Sequence, residues 1–116
     1  MTHQELEDLR DSEYGRPFGC SRILRSLPCD VFEYVEWIWM KGGHAKTRAR
    51  SLQVLKMLRK GVCTNAQVAI AVGLTSPRVR DIAAKAIRQA AAALRNPDRT
   101  LRLMASGGMD HERHGL

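Results

Sequence analysis

The sequence predicts an all-α protein, a helical bundle that closes with two helices joined by a tight turn, the second of them long. Three observations carry that prediction. Apolar residues recur at helical spacing through most of the 116 residues. Thr and Asp stand at the starts of the periodic stretches and Gly or Pro at their ends, the expected start and stop signals. Aromatic residues are only 5% of the chain, and Leu, Ile, Val and Ala supply most of the apolar surface, which suits helix packing more than a β-sandwich. The length allows one domain's worth of core, small enough that dimerisation would help it.

The elements follow in order. Thr2 and Glu5 form a capping box for a helix over residues 3–12. Its apolar face offers little beyond Leu6 and Leu9, so it is expected to dock late or fray. Residues 14–19, YGRPFG, form a turn-rich connection in which Tyr14 and Phe18 are expected to pin the loop to the core. A brief helix over 21–27 carries Ile23, Leu24 and Leu27 and stops at Pro28. Asp30 then caps an apolar helix over 31–41. Phe32, Val35, Ile38 and Trp39 form one stripe of it, with Val31, Tyr34 and Trp37 beside them. This wide surface is hidden either by the rest of the bundle or by a partner. Trp and Tyr enrichment at binding hot spots makes Phe32, Tyr34, Trp37 and Trp39 the interface candidates in the second case.

Gly42 and Gly43 end that helix and form a hinge beside His44, a loop residue or phosphate contact. The stretch 46–60 predicts a helix with Leu52, Leu55, Met57 and Leu58 inward and Lys46, Arg48, Arg50, Lys56, Arg59 and Lys60 outward, stopped by Gly61. Because residues 41–60 contain no acid, the outward row favours phosphate contact over mere solubilisation, with Arg48 and Arg50 as candidates.

The most informative stretch begins at Thr64, whose capping box with Gln67 starts the next helix. Val68, Val72, Leu74, Val79 and Ile82 fall where two helices must bury apolar side chains against each other. Ala69 marks their closest approach, and Gly73 supplies the left-handed turn at least cost. Thr75 or Ser76 caps the second helix and Pro77 lies in its first turn. Val79, Ile82, Ala83, Ala86, Ile87, Ala90 and Leu94 then recur up to Asn96, a helix of about 18 to 20 residues, roughly 28 Å long. This is the pattern of a helix-turn-helix. A short helix over 97–105 is expected to point Leu101 and Met104 inward and Arg99 and Arg102 outward. The tail 106–116 has the composition of a flexible segment, in which the spacing of His111 and His114 is incidental. The expected division is therefore an acidic N-terminal helical segment (1–43), a helix-turn-helix domain (44–105) and a tail (106–116).

Charge is distributed unevenly. Residues 1–40 hold four Lys or Arg against eight Asp or Glu, net −4, and residues 41–116 hold fifteen against four, net +11. The basic half points to a polyanion. No segment approaches the ~18 consecutive apolar residues of a membrane span, and the opening THQELEDLRDSE is unlike a secretory signal, so a cytoplasmic protein is expected. Cys20, Cys29 and Cys63 are an odd set without a C-x-x-C and are expected to be reduced and structural. With His44 they lack the closely spaced pairs of a zinc site, and no metal or cofactor is expected. No paired carboxylates, phosphate-cradling loop or Cys–His pair stands in a plausible context, so an enzyme is not expected.

The segment SPRVRDIAAKAIRQAAAALRNPDR resembles region 4 of the primary bacterial sigma factors. The likeness is carried by Arg78, Val79, Arg80, Asp81, Ile82, Ala84, Lys85, Ala86, Ile87 and Arg88, then Leu94, Arg95, Pro97 and Arg99, about a third of the chain. In that family the positions matching Ser76, Pro77 and Asp81 are usually Arg, Glu and Gln and read the promoter bases. Here the stretch from Ala86 to Pro97 is also about one helical turn longer than the pattern. The resemblance implies the scaffold, not the code.

A helix-turn-helix places its second helix in the major groove. Thr75, Ser76, Pro77, Asp81 and Ala84 are expected to face bases, a modest set for discrimination, with Arg78, Arg80, Lys85 and Arg88 as phosphate clamps. Thr64 and Asn65 are expected to add backbone N–H groups at a helix N-terminus. The expected function is a sequence-specific transcriptional regulator of double-stranded DNA. Weak readout by one helix favours a homodimer on two half-sites. The alternative is an RNA polymerase-binding factor, a sigma-like modulator or antiterminator acting on the holoenzyme, since region 4 in the resembled family packs on the polymerase β flap.

Overall fold

Six helices form: α1 (His3–Glu13), α2 (Gly19–Ser26), α3 (Cys29–Lys41), α4 (Ala45–Lys60), α5 (Asn65–Val72) and α6 (Ser76–Arg95). The computed structural model describes residues 1–42, 44–98 and 100, with no strand among the described residues. Gly43 of the expected hinge, Arg99, residues 101–105 of the expected closing helix and the tail 106–116 with His111 and His114 lie outside the described residues. The bundle is all-α, and its longest helix is α6, at 20 residues or about 30 Å.

Both predicted capping boxes form. Thr2 Oγ1 accepts from the Glu5 amide and Thr64 Oγ1 from the Gln67 amide, each at 3.1 Å, while each glutamate or glutamine side chain accepts from the cap's own N–H. Gly73 ends α5 with φ +73, the left-handed conformation that a Cβ penalises, and Thr75 caps α6 with Pro77 in the first turn.

α6 packs against each of the other five helices. Its buried residues explain how: Val79, Ile82 and Ile87 supply bulk, and Ala83, Ala86, Ala90, Ala91 and Ala93 let neighbouring backbones come close. One core joins Leu6, Leu24, Val35, Leu55, Leu58, Val68, Val79 and Ile82, drawn from all six helices. Each large side chain fully buried there contributes roughly 1.5–3 kcal/mol. Leu6 is among them, so α1, thin as its apolar face is, is anchored in the core.

Polar ties close the seam between α2 and α4. Ser21, buried, has its Oγ 2.7 Å from the Leu58 carbonyl and 3.0 Å from that of Gly61, and accepts from the Cys63 amide at 3.3 Å. Arg59 Nη1 donates to the carbonyls of Leu24 (2.6 Å) and Leu27 (2.8 Å), and its guanidinium lies 4.6 Å over the Phe32 ring. Arg25 returns the favour by donating to the Arg59 carbonyl at 3.1 Å. These carbonyls lie at the C-terminal ends of α2 and α4, where a cation is the favourable group.

Several expectations are corrected. Tyr14 is 90% exposed, so it does not pin its loop. The loop is held instead at Gly19, where any Cβ would collide with the Glu13 carbonyl. α2 starts at Gly19, two residues early, and α3 starts at Cys29 with Pro28 as its N-cap; Asp30 sits inside the first turn and accepts from the Val31 amide at 2.9 Å. On α4 the buried face is Ser51, Val54, Leu55 and Leu58, because that row keeps the 3.6-residue period. Leu52 and Met57 fall to its flank, half-buried, as does Leu74 in the turn. Ile38 and Trp39 are likewise only half-buried. None of the three cysteines is fully buried, and Cys29 is exposed.

Candidate nucleic-acid interface

The amphipathic pattern of α6 leaves one stripe outward. Pro77, Asp81, Lys85 and Arg88 are exposed along it, with Arg78 and Arg80 exposed on its flanks and Ser76 and Ala84 half-buried. Thr75 begins the helix, its Oγ1 accepting from the Arg78 amide at 3.3 Å. Arg78, Arg80 and Arg88 have no ion pair or side-chain hydrogen bond among the described residues. Asp81 is the lone acid of the helix.

Two neighbours frame the stripe. On one side α5 and α2 meet: Asn65 Nδ2 lies 3.6 Å from Cys20 Sγ, and Arg80 is near enough to act on that thiol electrostatically. Burial pushes the Cys20 thiol pKa up, against the opposing pull of the Asn65 hydrogen bond and the Arg80 charge. On the other side the end of α3 leans on α6, with Lys85 Nζ 5.2 Å from the Trp39 ring. The next residue, Met40, gives its carbonyl to Arg48 Nη1 at 3.0 Å, so α4 enters beside the same patch. Arg50 is exposed and without a partner among the described residues.

The candidates therefore separate. Thr75, Ser76, Pro77, Arg78, Arg80, Asp81, Lys85 and Arg88 lie together at the start and middle of α6, and Asn65 and Arg80 both act on Cys20. Thr64 is corrected as a donor: its N–H is taken by Gln67 Oε1 at 2.8 Å, leaving the Asn65 and Ala66 amides as the first-turn donors outside the capping box. On α4, Lys46, Arg50, Lys56 and Lys60 are exposed as expected, while Arg48 and Arg59 are half-buried. Arg48 is tied to Met40, Lys56 lies 3.8 Å from Glu36, and Arg59 holds α2, because long side chains reach carbonyls and carboxylates across a helix seam.

The interface expected on α3 is largely consumed within the chain. Phe32 is 6% exposed under the Arg59 guanidinium. Tyr34 and Trp37 stack at 5.9 Å, Lys41 Nζ covers the Trp37 ring at 3.7 Å, and Trp39 supports Lys85. Both indole N–H groups are buried without a hydrogen-bond partner. Large apolar side chains are exposed at Tyr14 and Phe18 before α2, at Met40 at the end of α3 (56%), at Val62 (53%) and at Ile70 of α5 (85%).

Sequence reasoning missed Ser21 and the carbonyl-binding role of Arg59; no local signal marks either, since their partners are remote in sequence. Cys20, Cys29, His44 and Cys63 do not gather, and no cluster of three metal-ligating side chains occurs among the described residues. No helix among the described residues is long and apolar enough to cross a membrane. Comparison with protein-family models, with curated proteins and with solved structures yields no match.

Proposed function

We propose that this chain binds duplex DNA as a transcriptional regulator, laying the start of α6 in the major groove. The observation that carries the reading is the set of exposed arginines without protein partners, Arg78, Arg80 and Arg88, on a helix presented by a left-handed glycine turn. A cation that costs the fold nothing to release is available to phosphate, and neutralised phosphates dominate affinity. Ser76, Pro77 and Asp81 form the base-facing edge, with Asp81 suited to accept from cytosine N4. So small an edge gains specificity by pairing two half-sites, which supports a homodimer.

The test is binding of the full chain to a random-sequence duplex of about 30 base pairs across a salt series, alongside sedimentation. The expected log–log slope corresponds to roughly five phosphates at about 0.9 each. Arg80→Ala is expected to lower both slope and affinity without changing the helical circular dichroism. Absence of binding at ~50 mM salt, where even non-specific contacts register, would sink autonomous DNA recognition. The second reading, a contact with RNA polymerase, would then take its place; the exposed Ile70 and Val62 favour it.

A further inference from the structure

Tyr14 is the most exposed large apolar side chain among the described residues, and Phe18, four residues on, is also exposed. Neither supports the core. The loop that carries them projects for a physical reason. Gly19 lacks a Cβ, so the end of α1 and the start of α2 close directly on each other, and Gly15, at φ +76, reverses the chain between them. Residues 14–18 are left standing outside the bundle.

The position of this loop is set by its neighbours. Gly19 and Cys20 follow it immediately, and Cys20 touches Asn65 at the N-terminus of α5 and lies in the field of Arg80. The loop is therefore continuous with the α5–α6 edge that the DNA-binding reading uses. Arg16 is the one charged residue of the loop; at the end of α1 beside it stand Glu13, paired with Arg22 at 3.7 Å, and the exposed Asp11. Arg16 has no carboxylate partner among the described residues; only its Nε is engaged, donating to the Ser12 carbonyl at 3.0 Å, so both terminal nitrogens keep their donors.

We propose that the 14–18 loop is a second DNA contact, in which Arg16 grips backbone phosphates flanking the groove that takes α6. The inference rests on the reading of α6 as the DNA-binding helix. In that geometry the first helix of the unit, α5, crosses the phosphate backbone, and Cys20, two residues beyond the loop, lies against Asn65 in the first turn of α5. A guanidinium fork anchored through Nε and open at both Nη atoms matches a phosphate's oxygens.

The experiment is the salt series on the same duplex, with the full chain and the variants Arg16→Gln, Arg16→Lys and Arg80→Ala, circular dichroism serving as the fold control. Arg16→Gln is expected to reduce the slope by about one and affinity by up to about tenfold at ~0.1 M salt, while Arg16→Lys keeps the slope. Unchanged slope and affinity in Arg16→Gln, beside a clear loss in Arg80→Ala, would remove the loop from the interface and leave α6 in place. A slope reduced as much in the Lys variant as in the Gln variant would show that the charge at position 16 meets no phosphate and overturn the proposal. No binding by the unaltered chain would overturn the α6 reading and this one with it.

Discussion

α4 and α6 both carry a row of cations, and the two rows are used differently. On α4, Arg48 holds the end of α3, Lys56 faces Glu36, and Arg59 bridges the end of α2 to the Phe32 ring. On α6, Arg78, Arg80 and Arg88 hold nothing among the described residues. The difference follows from what each helix passes. Cations of α4 reach carbonyls and a carboxylate of neighbouring helices, whereas Arg78, Arg80 and Arg88 meet none among the described residues. A row of basic residues in a sequence thus divides into cations tied within the fold and cations that are not.

The sharpest way to break this contrast is to remove one cation from each row. Arg59→Ala strips two carbonyls of their charged donor and uncovers Phe32, and is expected to cost about 2–3 kcal/mol. Arg80→Ala touches nothing the fold relies on and should stay within about 0.5 kcal/mol. Urea denaturation of both variants reads the difference directly. Equal losses would mean that the α6 arginines also serve the fold, and the DNA reading would lose its main support.

The two regions also differ in how their helices end. Gly61 closes α4 with extended backbone at φ −154, which any residue adopts, and Gly73 closes α5 at φ +73. A Cβ would meet open space at either site, so the costs are purely conformational. Gly73→Val is expected to lose roughly 2 kcal/mol, because a β-branched residue is strained in the left-handed region. Gly61→Ala should be near neutral. Loss of the α6 presentation without loss of total helicity would show in Gly73→Val as weakened DNA binding at full folding.

What was legible in the sequence was local. The Thr64–Gln67 box, Gly73, the Thr75 cap and the α6 stripe all rest on interactions within three or four residues, and each is read from neighbours in the chain. What was not legible was the destination of long side chains. Arg59 meets Leu24 across 35 positions and Ser21 meets Leu58 across 37, and neither spacing leaves a periodic trace. The same blindness explains why Arg48 and Arg50 looked alike as phosphate contacts, although the structure ties only Arg48. Tyr14 failed differently. An aromatic in a stretch punctuated by Gly15, Pro17 and Gly19 reads as an anchor, but the close approach at Gly19 leaves the loop outside the core.

The smallest expected effect uses two thiols as reporters of the two rows. Cys29 is exposed, with Sγ 3.7 Å from Arg59 Nη2, and Cys20 is half-buried beside Asn65 and in the field of Arg80. Cys20 should therefore react with iodoacetamide more slowly than Cys29 at pH 8. Burial raises the Cys20 pKa in the folded chain above its unfolded value, so the neutral thiol is the form the fold favours. Its contribution to stability is complete below the ordinary thiol pKa of about 8.5 and is lost as pH climbs through the raised folded value. Cys20→Ser, which does not titrate there, should remove that alkaline decline while Cys29→Ser leaves it. Arg80→Ala should push the Cys20 titration higher still, because it withdraws a charge that favours the thiolate. If Arg80→Ala left the alkylation pH profile of Cys20 where it was, the side chain would not stand beside α2, and the link between the loop and the α6 stripe would fail.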